Sequence, residues 1–182
     1  MATSTNGWVT LNDAKLYDDD VIEHYRAASA TGEQFRGMSI VKYERDIGVL
    51  IAATRSTRLL DYGSGVGDQY KKAGIHKRWG VPMPYCYDPG VDIHYTRPTG
   101  TFDGVLCSDV LEHVPEELVD NVLHDVFSFA EKWVWLSVCC RPAKKFFEDG
   151  RNLHLTVRRD RWWVKRIRDA SGGKKFYLVF TP

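Results

Sequence analysis

Leu59-Leu60-Asp61-Tyr62-Gly63-Ser64-Gly65-Val66-Gly67 decides how this chain is built. Two apolar residues end in an acid, and glycines follow at alternate positions. A short strand that feeds a tight turn and then a helix is written this way. Glycine at 63, 65 and 67 lets the backbone pass through positive φ and lets another group approach the main chain where a Cβ would stand. The spacing is G-x-G-x-G, distinct from the G-x-G-x-x-G of dinucleotide sites. Taken alone it fits a ligand-binding turn and a plain structural turn equally well.

Outward from that stretch, Arg58–Asp61 reads as the first strand, and Asp68–Ala73 opens the helix after the glycines. Tyr85–Tyr87 is a second strand, ending at Asp88-Pro89-Gly90. Phe102–Ser108 and Trp133–Cys140 are apolar, β-prone strands, and Phe176–Phe180 is a last one. Between them, Pro115–Ala130 is helical, with Leu118, Val122, Leu123, Val126 and Phe127 on one face, and Arg159–Ala170 is a basic helix. Upstream, Asp18-Asp19-Asp20 opens a helix within 15–36 that Gly32 and Gly37 break. Ser39 is placed to cap a helix over 40–54. Residues 1–14 read as a loose tail.

Strands alternating with helices predict a doubly wound, mostly parallel α/β sheet of five or six strands in one domain. N-terminal helices occupy 15–56, a core 57–140 and a basic end 141–182. Ligands of such sheets lie beyond the carboxyl ends of the strands, where strand order reverses. Asp61, Asp88 and Ser108-Asp109 fall at those ends.

Bulk properties narrow the class. No apolar run approaches the roughly 20 residues of a membrane span. The N-terminus lacks a basic region followed by an apolar one, so no secretory signal is expected. Cys86, Cys107, Cys139 and Cys140 fall in predicted strands without a C-x-x-C pair, which suits reduced thiols in a cytoplasmic protein. Charge is uneven: residues 1–140 carry 13 Lys/Arg and 20 Asp/Glu, a net −7, while 141–182 carry 12 and 4, a net +8. The basic end either meets an anionic partner or balances the acidic half.

The third informative stretch is Phe102-Asp103-Gly104-Val105-Leu106-Cys107-Ser108-Asp109-Val110-Leu111-Glu112-His113-Val114-Pro115. With the glycine turn and Asp88, in this order and strand context, it resembles the class I S-adenosylmethionine (SAM) dependent methyltransferases over about residues 57–140. Cys140–Lys145 and Asp149–Thr156, with Trp162-Trp163, are similar to small methyltransferase-like proteins of phages and bacteria. The resemblance implies a Rossmann-like fold, SAM as cofactor and methyl transfer to a small molecule, and the basic end would suit an anionic one. It implies that Asp61, Gly63, Ser64, Gly65, Gly67, Asp88, Pro89, Ser108 and Asp109 hold the cofactor, with Asp88 on the ribose hydroxyls.

Two departures accompany the resemblance. Phe102 follows Asp88 by only 14 positions, too few for a crossover helix and a full strand. A third strand shrinks to Asp92–Tyr95 at most, and adenine contact falls to Val91, Ile93 or Ser108. One strand, rather than a hairpin, follows the last helix.

His154 and His113 are the candidate general bases for a hydroxyl acceptor. Asp109, Glu112 and His113 could face a hard cation together, but read more simply as a polar first turn, and no metal is assigned. Tyr17, Tyr25 and Phe35 could cover a sulfonium with aromatic faces. Of Trp162 and Trp163, set about 100° apart on a helix, one should pack on the sheet. Two alternatives stand beside the methyltransferase: a SAM-binding module without catalysis, and a nucleic-acid methyltransferase using the basic end.

Overall fold

The computed structural model describes residues 15–30 and 35–181. Its centre is one five-stranded sheet of β1 (Leu59–Tyr62), β2 (Tyr85–Tyr87), β3 (Phe102–Ser108), β4 (Ala130–Cys139) and β5 (Phe176–Thr181). Strand order is β2-β1-β3-β4-β5, and every pair is parallel. Among the described residues six α-helices flank it: α1 (Asp19–Ala30), α2 (Glu44–Thr54), α3 (Asp68–Lys71), α4 (Ile75–Trp79), α5 (Val119–Ser128) and α6 (Asp160–Ala170).

A parallel sheet must be covered on both faces, so its strands read as continuous apolar runs. The period of two then sorts their side chains. Leu60, Tyr62, Val105, Cys107, Val134, Leu136 and Val138 face α5 and α6, where Val122, Leu123, Val126, Trp163 and Ile167 meet them. Leu59, Leu106, Trp133 and Trp135 face the opposite way, toward Ile47, Leu50 and Ile51 of α2 and Ile75 of α4. Each fully buried aliphatic of this kind stabilises the fold by about 1.5–3 kcal/mol. Trp133 lies over Gly104, where an added Cβ would come within 2.2 Å of the indole. Its Nε1–H donates to Thr54 Oγ1 and Ser56 Oγ, both at 3.0 Å.

Several expected boundaries move. The helix expected over Pro115–Ala130 begins at Val119, after a 3₁₀ turn over Glu116–Leu118, because Pro115 is extended with ψ 139°. Ala130 instead opens β4, in register with Phe102. Cys140 lies just past the strand end, and it and Cys139 are half-buried where Cys86 and Cys107 are buried. Ser39 does not cap a helix: its hydroxyl donates to the Ser108 carbonyl at 3.1 Å, and a 3₁₀ turn over Ser39–Tyr43 precedes α2. The expected break at Gly32 and the tail over 1–14 lie outside the described residues.

Asp92–Tyr95 forms no strand. The His94 amide donates to the Val91 carbonyl at 2.8 Å and the Asp88 amide to the His94 carbonyl at 2.9 Å, so the segment folds on itself. Arg97 fastens it to α5 through the buried carboxylate of Asp125, which also accepts from Tyr62 Oη at 2.9 Å. Arg97 and the Tyr85 hydroxyl, which donates to the Thr96 carbonyl at 3.2 Å, share the anchoring that a crossover helix does elsewhere in the sheet. The basic end is not a separate unit, because β5 completes the sheet. No helix among the described residues is long and apolar enough to cross a membrane.

Candidate functional site

From β1 the chain winds outward to β2, then returns across β1 to β3 and continues the other way. The carboxyl ends of β1 and β3 therefore flank the reversal point where doubly wound sheets take ligands. A cavity of about 280 Å³ lies there. Gly63, Gly65, Asp88, Pro89, Ser108, Asp109 and His113 line it, together with Tyr17, Tyr25 and Phe35. Asp61, Ser64, Gly67 and His154 do not. The volume falls just short of the usual range for small-molecule sites.

The glycine turn is satisfied from within. Gly63 and Ser64 amides both donate to the Tyr87 carbonyl, at 2.7 and 3.1 Å. Gly65 donates to Asp88 Oδ2 at 2.8 Å. Val66, Asp68 and Gln69 donate to the carbonyls of Phe35, Arg36 and Gly37, at 2.9, 3.0 and 2.9 Å. Residues 35–37 thus lie as a strap along the turn. A Cβ on Gly65 (φ +55°) would fall 2.3 Å from the Phe35 carbonyl oxygen, and one on Gly37 would fall 2.0 Å from that of Ser64. What approaches the bare backbone at Gly65 is this chain's own strap. Phe35 holds φ +50°, a conformation a bulky side chain seldom adopts, which the three bonds to the turn sustain.

The acids divide in role. Asp61 is sealed in the core, 1% exposed, and accepts from Gln69 Nε2 at 2.6 Å. Burial pushes its carboxyl up to about 7, with Gln69 and Tyr70 opposing. Asp88 faces the cavity, as Asp109 also does. Its Oδ1 accepts the Gly90 amide at 2.9 Å while Oδ2 holds Gly65. Burial raises its pKa and the two amides pull it back. Asp109, at φ +54°, pairs with Lys42 at 3.0 Å and accepts from Ser137 Oγ at 2.9 Å. Ser108 Oγ lies 2.6 Å from Ser137 Oγ.

Of the two histidines, only His113 reaches the cavity. Tyr25 Oη donates to the Leu153 carbonyl at 2.9 Å, and His113 Nδ1 stands 2.8 Å from that hydroxyl and 3.0 Å from the same carbonyl. Because the tyrosine proton is used on Leu153, Nδ1 is the protonated nitrogen and Nε2 carries the lone pair. Burial, reinforced by the nearby His154, pushes the His113 pKa down to about 4, so the ring is neutral near pH 7. His154 stands edge-on behind it, ring centroids 4.9 Å apart, with Nδ1 on the Arg141 carbonyl. Tyr25 also packs edge-on against Phe35 at 5.0 Å.

No protein-family model matches the chain, and no curated protein matches its sequence.

The remaining expectations resolve by position. Val91 is buried and Ile93 is 65% exposed; neither lines the cavity, which leaves Ser108 of the three residues expected at an adenine. Asp109, Glu112 and His113 do not converge: Asp109 is held by Lys42, His113 by Tyr25 and Leu153, and Glu112 Oε1 by the Cys139 amide. Trp163 is buried against the sheet, as helical spacing required, and Trp162 lies under the guanidinium of Arg166 at 4.2 Å. Arg151, Arg158, Lys165 and Arg166 of the basic end are all ion-paired to acids. The strap and Gln69 went unread because a carbonyl acceptor and a core glutamine leave no pattern in sequence.

Proposed function

We propose that the cleft at the ends of β1 and β3 binds SAM and that the protein is a Rossmann-like methyltransferase for a small acceptor. The observation that carries this reading is Asp88. Its carboxylate lines the cavity at the end of β2 and bridges the glycine turn to Gly90. A carboxylate fixed by two amides keeps lone pairs for the paired hydroxyls of a ribose. Tyr17, Tyr25 and Phe35 give the cavity aromatic faces that attract a cation.

The residues present fit the cofactor through this carboxylate and these rings, not through free amides of the turn. Bound there, SAM supplies a methyl group on a positively charged sulfur. The chain's own part is to bind, to exclude water and to accept a proton. His113 Nε2 is the lone pair available for an acceptor hydroxyl, and Tyr25 and Leu153 fix its ring.

A SAM-binding module without catalysis is the second reading, favoured by the absence of a crossover helix between β2 and β3. Against the nucleic-acid reading, four of the twelve basic residues of 141–182 are already paired to acids of this chain. Calorimetry with SAM and S-adenosylhomocysteine, followed by transfer of labelled methyl groups to a metabolite extract, separates these. Binding with labelling supports the enzyme, binding without labelling supports the module, and no heat at millimolar ligand removes both.

A further inference from the structure

Glu112 lies wholly buried in the 3₁₀ turn Leu111–His113 after β3, yet only half of its carboxylate is satisfied. Oε1 accepts the Cys139 amide at 2.8 Å. Oε2 is buried without a hydrogen-bond partner. An unmet polar atom of this kind destabilises the fold, the more so when charged.

A thiol and an imidazole stand beside it. Cys139 ends β4, His154 comes from the loop beyond, and one ligand atom of each lies within 4.8 Å of the others and of a Glu112 oxygen. His154 Nδ1 is engaged by the Arg141 carbonyl at 2.5 Å. Such a contact orients a coordinating imidazole and leaves Nε2 to bind.

We propose that Glu112, Cys139 and His154 form a three-ligand site for a divalent transition metal, with zinc the best match. A thiolate and an imidazole disfavour magnesium and calcium, which prefer all-oxygen shells. Ligand atoms bonded to zinc at about 2.0–2.3 Å stand roughly 3.3–3.8 Å apart, so the three side chains close by about 1 Å on binding. Cys139 and His154 are half-buried and have room to do so. Three protein ligands leave a fourth tetrahedral position for water or a substrate atom. The ion would join the turn after β3 to the loop after β4, directly behind His113. The site requires no methyl donor and stands or falls apart from the SAM reading.

Cobalt(II) titration of the metal-stripped protein tests it. Expected are a thiolate-to-cobalt charge-transfer band and visible bands of tetrahedral intensity, both abolished by one equivalent of zinc. Cys139→Ser should remove the charge-transfer band, and Glu112→Gln and His154→Ala should each weaken affinity at least about ten-fold. Cys140→Ser, at the neighbouring half-buried thiol, should leave spectrum and affinity unchanged. Absence of the charge-transfer band, its loss in Cys140→Ser with retention in Cys139→Ser, or unchanged affinity in both Glu112→Gln and His154→Ala would each overturn the proposal. Should Glu112→Gln fail to fold, the two cysteine variants decide.

Discussion

The Gly65 amide donates to the Asp88 carboxylate at 2.8 Å, so the turn after β1 and the acid after β2 form one unit rather than two contributors to a cleft. A ligand on Asp88 would be read directly by the glycine turn. Asp88→Asn tests both halves of this unit. An amide side chain can accept only on its oxygen, so its NH₂ would oppose either the Gly65 or the Gly90 amide. The variant should lose about 1–2 kcal/mol of stability in urea denaturation. Because charge-assisted bonds to ligand hydroxyls would weaken as well, calorimetry should show SAM affinity falling by about ten-fold or more. Unchanged affinity would place the ribose elsewhere.

Gly65→Ala should be costly for a reason separate from any ligand. The position holds φ +55°, and the new methyl would sit 2.3 Å from the Phe35 carbonyl oxygen. Gly100 gives the matched control: φ +75° and open space around it. Gly100→Ala should cost about 1 kcal/mol of backbone strain, and Gly65→Ala about 2–4 kcal/mol. Equal losses in the two variants would mean that the strap yields freely and contributes little.

The buried acid of β1 sets a pH dependence. Asp61 is pushed up to about 7 in the folded chain, against an ordinary carboxyl near 3.8. From about pH 4 to pH 7 the unfolded chain gives up a proton that the folded chain keeps. This contribution to stability is complete below pH 4, declines as pH rises through 7 and is flat above it. Asp61→Asn keeps an oxygen for Gln69 and removes the titration. Measured by urea denaturation, the variant should gain on the native protein by on the order of 2 kcal/mol between pH 4.5 and pH 8. A constant difference across that range would show that Asp61 ionises in the fold without penalty.

The positions legible in the sequence were those fixed by periodicity. Val105 and Leu106 announced a strand buried on both faces, and the 100° step from Trp162 to Trp163 announced that one indole would enter the core. Asp88 was found because an acid at a strand end has a fixed place in this topology. Asp61 sits in the same kind of position, yet Gln69, the second residue of α3, draws it inward. The strap over the glycine turn acts through main-chain carbonyls, which every residue carries, so no residue type marks it. Glu112, Cys139 and His154 are distant in sequence and meet only because parallel β3 and β4 bring their carboxyl ends side by side.

Arg97 offers the most direct test of how the shortened link between β2 and β3 is held. Its guanidinium pairs with Asp125 and covers the Phe129 ring at 4.8 Å, while the Asp125 side chain is only 1% exposed. Arg97→Ala would leave that carboxylate with Tyr62 alone. Breaking a fully buried pair costs about 3–5 kcal/mol. Arg97 is 46% exposed, so water can reach the site and about 2–3 kcal/mol is the expected loss. Arg97→Lys should recover only part, since it restores the charge without the planar fork or the stacking on Phe129. Asp125→Asn should make the Arg97→Ala loss smaller, because a neutral amide no longer needs the cation. If the double variant instead loses the sum of the two single losses, the pair is not coupled and residues 88–101 are held by their own turns.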